Sequence, residues 1–168
     1  MGVAGSGKST VGKLLARSLR LPFCDGDDLH PAANIEKMKA GVALSDEDRQ
    51  PWLRAIAAWM DEQRAAGTSA VMACSALKSS YREEIRDGHD DVRLIYLQGP
   101  RDLLAARLAA RFGHFFSPGL LNTQLATLEE PTPDENPLVV DIDHTVNAMV
   151  QQIVSHLPTR LHGESRDT

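Results

Sequence analysis

The chain alternates short apolar runs with longer amphipathic stretches. Runs of strand length occupy 21–24, 70–74, 92–97 and 138–142. Between them, apolar residues recur every three or four positions, which is the spacing of a helix with one buried face. The clearest stripe consists of Val146, Met149, Val150, Ile153, Val154 and Leu157. Strands that alternate with helices predict a parallel β-sheet covered by helices on both faces.

Capping residues and helix breakers mark the boundaries of the other helices. Ser45 and Asp48 have the spacing of a capping box, and Pro51 suits the first turn of the helix that follows. We expect this helix to end near Gly67 and the last helix of the chain to end at Pro158. Apolar spacing predicts further helices over 10–19, 34–40, 77–85, 104–108 and 121–128.

Charge and composition exclude several classes of protein. The formal net charge of −5 at pH 7 argues against a nucleic-acid partner, because phosphate backbones bind clustered Lys and Arg. Cys24 and Cys74 lie in apolar runs, so we expect buried thiols rather than a disulfide framework. The six histidines show no zinc-ligand spacing. No apolar stretch approaches the roughly 20 residues of a membrane span, so we expect no membrane partner and a cytoplasmic location.

Residues 2–9 match the phosphate-binding pattern G-x-x-x-x-G-K-[ST] in full. Glycines let backbone N–H groups turn inward onto phosphate oxygens, and the helix that follows favours an anion at its N-terminus. We expect Lys8 to reach the β- and γ-phosphates and the Ser9 hydroxyl to bind Mg²⁺. The predicted nucleotide-binding residues are Gly2, Val3, Ala4, Gly5, Ser6, Gly7, Lys8, Ser9 and Thr10.

The phosphate-binding pattern normally follows a β-strand, whereas only Met1 precedes Gly2 here. A parallel sheet would then lose the central strand that positions the phosphate-binding loop. Two hypotheses compete. In the first, the assigned start lies a few residues late; in the second, the chain is short and its loop is poorly held.

Two aspartates follow the first apolar run, in Asp25-Gly-Asp27. In an extended chain, side chains two residues apart point to the same side. A kinase that acts on a hydroxyl needs a carboxylate to orient and deprotonate it. Asp27 is therefore the candidate base, and Asp25 is the candidate that holds Mg²⁺ through water. The alternative is a plain Asp-Gly turn.

Four further side chains are candidates for binding the acceptor. Arg49 opens the long helix and Lys78 ends the segment Ser75-Ala-Leu-Lys78, so both could pair with a substrate carboxylate. Ser75 is also a candidate, because it follows a predicted strand and ligands of parallel sheets bind beyond the carboxyl ends of the strands. His30 is a hydrogen-bonding candidate for a polyol. Solvated surface charge is the alternative for the two cations.

The segment from Arg107 to Phe116 contains two arginines and His114 between two predicted helices. Arginines over the triphosphate would offset the charge that develops during transfer, and a closing segment would exclude water. Arg111 is the candidate for that catalytic role, Arg107 is a nucleotide-binding candidate and His114 is a substrate-binding candidate. The alternatives are an exposed helix position for Arg107 and a packed core histidine for His114.

These motifs together resemble the gluconokinase family of small P-loop kinases over nearly the whole chain. The P-loop is shared by many families, whereas the blocks around Asp25 and Trp52 are far more specific. The matching stretches are Asp25-Gly-Asp-Asp-Leu-His-Pro31, Leu44-Ser-Asp-Glu-Asp-Arg49, Pro51-Trp-Leu53, Cys74-Ser-Ala-Leu-Lys78, Tyr81-Arg82, Gly113-His-Phe-Phe116, Thr127-Leu-Glu-Glu-Pro131, Asp134-Glu135 and Val140-Asp-Ile-Asp143.

The resemblance implies ATP-dependent phosphorylation of D-gluconate to 6-phosphogluconate, with Mg²⁺, in a cytoplasmic enzyme that is often a homodimer. It implies a three-layer α/β/α P-loop NTPase fold of the nucleoside-monophosphate-kinase type, with a parallel sheet and a lid. We expect one kinase domain over 1–157, with a substrate-binding helical part over 28–66 and the lid over 111–119. The polar tail 158–168 is expected to be disordered.

Two other functions stay open. The first is a related small-metabolite kinase that acts on shikimate or a nucleotide, since such kinases share the fold and the P-loop. The second is a catalytically weak ATP-binding protein, which the missing first strand would suggest. Lys8, Ser9, Asp27 and Arg111 argue against it, because an inactive relative would be expected to have lost some of them.

Overall fold

A computed structural model of the chain describes residues 1–112 and 118–158, with side chains described over 1–110 and 119–158. The expected disordered tail and most of the expected lid, including His114, lie outside these residues. The described helices are α1 Lys8–Leu19, α2 Ala32–Lys39, α3 Asp46–Ala65, α4 Ser79–Arg86, α5 Arg101–Phe112, α6 Pro118–Thr127 and α7 Val146–Ser155. The strands are β1 Phe23–Asp25, β2 Val71–Ala73, β3 Ile95–Gln98 and β4 Leu138–Asp141.

The described strands form two parallel pairs. β1 pairs with β2, with Cys24 opposite Met72, and β3 pairs with β4, with Tyr96 opposite Val139. Parallel neighbours need a crossover connection, and here helices supply each of them. The predicted alternation of strands and helices around a parallel sheet is therefore confirmed.

The first residues of the chain lie between the two strand pairs. The Met1 amine donates to the Ile95 carbonyl, and the Leu97 N–H donates to the Met1 carbonyl at 3.0 Å. On the other side, the Gly2 N–H donates to the Ser75 carbonyl at 3.3 Å. The backbone of Met1 and Gly2 thus lies between the two pairs, hydrogen-bonded to Ile95 and Leu97 of β3 on one side and to Ser75, which follows β2, on the other.

A groove of about 470 Å³ borders Met1 on the side away from the phosphate loop. Burial lowers the pKa of the Met1 amine to about 5, with Lys8 acting in the same direction. Residues of both strand pairs line the groove, among them Val71, Met72, Leu94 and Ile95.

Two apolar clusters hold the described layers together. The larger one joins α1, α5 and α7 to β3 and β4, and its most buried members include Leu104, Val140 and Ile153. The smaller one joins α3 and α4 to the residues that follow β2, around Trp52 and Tyr81. Met1 packs against the smaller cluster and Val3 belongs to the larger one, so the start of the phosphate loop contacts both.

Several predicted boundaries move. The capping box of Ser45 and Asp48 is confirmed, and it starts α3 so early that Pro51 lies inside the helix rather than in its first turn. Leu77 precedes α4 and is buried in the loop. The strands begin two or three residues later than predicted at Phe23 and Ile95, because the apolar runs include partly buried residues that precede each strand.

Candidate functional site

The phosphate-binding pattern forms a tight loop that leads into α1. Gly5 and Gly7 have φ angles of 83° and 91°, which a glycine adopts readily and other residues rarely do. The Ser6 N–H closes the loop on the Val3 carbonyl at 3.3 Å, and the Lys8 ammonium donates to the same carbonyl at 3.1 Å. α1 begins directly at Lys8, so its N-terminal amides face the mouth of the loop.

Two helices hold the outer side of the phosphate loop. A Cβ atom on Gly5 would lie 2.9 Å from the Leu104 carbonyl of α5, so only glycine permits this approach. On α6, the Gln124 Oε1 accepts a hydrogen bond of 2.6 Å from the Ala4 N–H. The loop backbone is therefore fixed by contacts from parts of the chain about 100 residues away.

The two predicted metal-binding residues contact each other. The Ser9 hydroxyl, in the first turn of α1, donates to Asp25 Oδ2 at 2.5 Å, and Asp25 ends β1. A hydroxyl beside a carboxylate is an oxygen donor set that suits a hard divalent cation. No cluster of three or more His, Cys, Asp or Glu residues that could hold a metal ion occurs within 1–112 or 118–158.

Asp27 lies close to this pair, but not for the reason that the sequence suggested. The chain leaves the extended conformation after Asp25 and forms a 3-10 turn over Gly26–Leu29, so the argument from side chains of an extended strand is wrong. Asp25 instead caps the turn and accepts from the Asp27 N–H at 3.3 Å. Asp27 is exposed on the surface of the turn.

Trp52 fixes this turn from α3. Its Nε1–H is buried and donates to the Gly26 carbonyl at 2.7 Å, which satisfies the one polar atom of the ring. His30 stacks on the same ring, with centroids 4.5 Å apart and planes at 9°. Burial lowers the pKa of His30, although the charge of Asp27 acts in the opposite direction, so the imidazole is neutral near pH 7. Among the described atoms, its buried Nδ1 has no hydrogen-bond partner.

The two predicted acceptor-binding cations lie over one aromatic ring. The Arg49 Cζ is 5.8 Å and the Lys78 Nζ 5.3 Å from the ring centroid of Tyr81. Asp46 accepts from Lys78 at 2.7 and 2.8 Å and from the Tyr81 hydroxyl at 2.5 Å. The hydrogen bond to Asp46 raises the pKa of Lys78, so the ammonium is charged. The Asp46 carboxylate is the anion that it already binds.

The remaining candidates are placed as follows. Ser75 follows β2 and binds Gly2 through its carbonyl. Thr10 is an exposed residue of α1, and Arg107 donates from Nη2 to the Ile142 carbonyl at 2.6 Å, beside the end of β4. Arg111 lies in the last turn of α5, outside the described side chains, and His114 lies outside the described residues.

Sequence reasoning missed four residues that hold the site: Asp46, Trp52, Tyr81 and Gln124. For Trp52, the signal was an indole that needs a hydrogen-bond acceptor when it is buried in a helix. For Gln124 there was no local signal, because its partner Ala4 is 120 residues away along the chain.

None of the described helices combines the length and the apolar character that crossing a membrane requires.

Comparison with known proteins agrees with this architecture. The shikimate kinase family model matches residues 4–158. A thermoresistant gluconokinase of Escherichia coli is 45% identical over 155 residues, which covers 92% of this chain and 89% of that protein. A gluconokinase of Gluconobacter oxydans is 44% identical over 156 residues, covering 93% of this chain and 88% of that protein.

A solved structure gives the same result. The structure of a gluconokinase from Sinorhizobium meliloti superimposes with a TM-score of 0.82 at 42% identity, covering 92% of this chain and 87% of that one. The three-layer P-loop fold predicted from the sequence is thereby confirmed. The matched range 4–158 includes most of the phosphate loop, the turn after β1 and the loop after β2. From this range and from the identity to the two gluconokinases, we conclude that the chain belongs to the gluconokinase family of P-loop kinases.

Proposed function

We propose that the chain transfers the γ-phosphoryl group of ATP to the terminal hydroxyl of D-gluconate and so forms 6-phospho-D-gluconate. The observation that carries this proposal is the placement of two cations, Arg49 and Lys78, over the ring of Tyr81. Lys78 lies in the loop after β2, whose Ser75 carbonyl accepts from the N–H of Gly2 at the start of the phosphate loop. Gluconate has a carboxylate at one end and a primary hydroxyl at the other. An acceptor of that kind needs a cation at a distance from the reacting centre.

On the nucleotide side, kinases of this family use ATP with a divalent cation. The loop amides and the Lys8 ammonium would bind the phosphate oxygens, as the pattern predicts. Ser9 and Asp25 would hold the cation, which we propose to be Mg²⁺. When bound, this cation would neutralise part of the phosphate charge. Arg107 and Arg111 stay predicted contacts to the nucleotide and the transferred group.

On the acceptor side, Asp27 would take the proton of the attacking hydroxyl as its oxygen forms a bond to phosphorus and the bond to ADP breaks. Asp27 lies one hydrogen bond from Asp25, so the base and the cation-binding carboxylate are neighbours. The neutral His30, held flat on Trp52, would hydrogen-bond a hydroxyl of the polyol. Ser75 and His114 stay predicted acceptor contacts.

Arg49 and Lys78 would bind the gluconate carboxylate. Arg49 is half-buried, which strengthens its attraction for an anion relative to a fully solvated residue. The acceptor carboxylate would have to share Lys78 with Asp46 or displace it. The expected homodimer and the cytoplasmic location stay predictions.

The first experiment is an acceptor panel. The purified chain is given Mg-ATP with D-gluconate, with shikimate or with no acceptor, and ADP release is followed by a coupled assay. We expect turnover that depends on gluconate and exceeds the rate with shikimate by at least about a hundredfold, since a site built for a polar acceptor discriminates strongly.

The other outcomes of this panel are equally informative. A faster rate with shikimate would contradict gluconate as the acceptor and favour the related-kinase hypothesis. No acceptor-dependent turnover together with intact ATP binding would favour the catalytically weak ATP-binding protein. A ³¹P spectrum of the product identifies the phosphorylated oxygen.

Asp27→Asn tests the proposed base. The amide keeps the shape of the side chain but cannot accept a proton, so we expect kcat to fall by about 10²- to 10⁴-fold while the Kd for ATP changes less than about twofold. Asp28→Asn is the matched control, because Asp28 is an exposed aspartate of the same turn. Equal losses in the two variants, or a parallel loss of ATP affinity, would argue against Asp27 as the base.

Gln124→Met tests whether α6 sets the conformation of the phosphate loop. Methionine keeps the volume but removes the acceptor of the Ala4 N–H, and an unsatisfied donor costs free energy that binding must then supply. We expect the Kd for a non-hydrolysable ATP analogue, measured by calorimetry, to rise roughly three- to tenfold. Thr123→Ala is the control, because Thr123 is an exposed neighbour on α6, and this change should leave the Kd for the analogue unchanged. An unchanged Kd in both variants would show that the contact between Gln124 and Ala4 does not affect nucleotide binding.

A further inference from the structure

Arg82 is a buried cation that the proposed reaction does not use. Its side chain is only 2% exposed, although it lies in α4, a helix of mostly polar residues. Burying a guanidinium is costly unless each of its donors finds an acceptor. Here the acceptors come from three separate segments of the chain.

The guanidinium makes five hydrogen bonds. Nε and Nη2 donate to the two carboxylate oxygens of Glu135 at 2.5 and 2.8 Å, in the paired geometry that only arginine offers. Nη1 donates to the carbonyls of Ala76 at 3.1 Å, Leu77 at 3.3 Å and Glu129 at 2.9 Å. Arg82 therefore ties the loop after β2 to the segment that leads into β4.

The loop that Arg82 holds is strained. Ala76 has a φ of 44°, in the left-handed region that a residue with a Cβ rarely adopts. Such a conformation persists only where the surroundings determine it, and these outliers cluster at functional sites. Arg82 binds the Ala76 carbonyl directly, and the Leu77 carbonyl also accepts from the Glu129 N–H at 2.8 Å.

The strained turn separates two residues of the candidate site. On one side of Ala76, the Ser75 carbonyl accepts from the Gly2 N–H at the start of the phosphate loop. On the other side, Lys78 extends to Asp46 and the ring of Tyr81. A relaxed Ala76 would turn the backbone of Lys78 away from one of these contacts.

We propose that Arg82, together with Glu135, is a positioning residue that holds the Ala76 turn and thereby places Lys78 for the acceptor carboxylate. This inference rests on the proposed function, because it takes Lys78 to be an acceptor contact. It assigns a specific role to an arginine that the proposed reaction itself does not use. Arg82 binds the carbonyls of Ala76 and Leu77, whereas the bond to Gly2 comes from Ser75 ahead of them. Loss of the pair therefore affects the acceptor more than the nucleotide.

The test compares Arg82→Lys with Arg93→Lys, a matched change at an exposed arginine ahead of β3. Lysine keeps the charge but cannot bind the Glu135 carboxylate and three carbonyls together. For Arg82→Lys, we expect KM for gluconate to rise by on the order of tenfold to a hundredfold while the Kd for ATP stays within about twofold, the pattern of a displaced acceptor contact. Hydrogen exchange by mass spectrometry should show lost protection at the Glu129 amide, which donates to the Leu77 carbonyl at 2.8 Å, but not in α1.

A merely structural Arg82 predicts a different pattern. In that case Arg82→Lys lowers Tm, yet KM for gluconate at a temperature well below Tm equals that of the unaltered chain, and this result would overturn the proposal. Unchanged exchange at the Glu129 amide would overturn it as well. Glu135→Gln serves as the test if Arg82→Lys does not fold, because it keeps the contacts of Arg82 with the three carbonyls. We expect a smaller rise in KM for gluconate, again with little change in the Kd for ATP.

Failure of the proposed function is distinguishable from failure of this inference. If the unaltered chain does not phosphorylate gluconate, the acceptor assignment is wrong, whereas the exchange measurement still reports whether Arg82 holds the loop. If the unaltered chain is active and Arg82→Lys leaves both KM and exchange unchanged, the proposed function stands and the positioning role is wrong.

Discussion

The backbone of Met1 and Gly2 joins the two halves of the sheet, and the arrangement of the site depends on this link. The Leu97 N–H donates to the Met1 carbonyl on one side, and the Gly2 N–H donates to the Ser75 carbonyl on the other. Backbone groups in a protein interior must be paired, so these hydrogen bonds fix where the chain enters the phosphate loop. The two strand pairs have no direct ladder between them among the described residues.

Nucleotide and acceptor sides meet because the carboxyl ends of parallel strands lie at one edge of a sheet. Asp25, at the end of β1, accepts from the Ser9 hydroxyl, and the carbonyl of Ser75, which follows β2, accepts from the Gly2 N–H. The loop after β2 then carries Lys78 toward Asp46 and Tyr81. The loop after β2 therefore contacts the phosphate loop through Ser75 and carries Lys78, and the strained turn between these two residues is held by hydrogen bonds from Arg82 and Glu129.

The sequence predicted what depends on local chemistry. The phosphate loop and the capping box at Ser45 depend on neighbouring residues, so pattern alone found them. The turn at Gly26 was only the alternative interpretation of the sequence, because the contacts that fix it come from distant residues. A Cβ added to Gly26 would lie 3.0 Å from the Ala73 carbonyl, and the Trp52 indole donates to the Gly26 carbonyl. Contacts between residues that are distant along the chain, such as Gln124 with Ala4, leave no periodic signal in one sequence.

Native-state amide hydrogen exchange by NMR tests the link most directly, with the Leu97 amide as its probe. The amide of Ile142, which donates to the Gln98 carbonyl at 2.8 Å on the other side of β3, is the internal control. Our account predicts that Leu97 exchanges as slowly as Ile142, since both amides would open only when the sheet comes apart. Fast exchange at Leu97 with slow exchange at Ile142 would show that Met1 and Gly2 do not bridge the strand pairs, and would contradict the account.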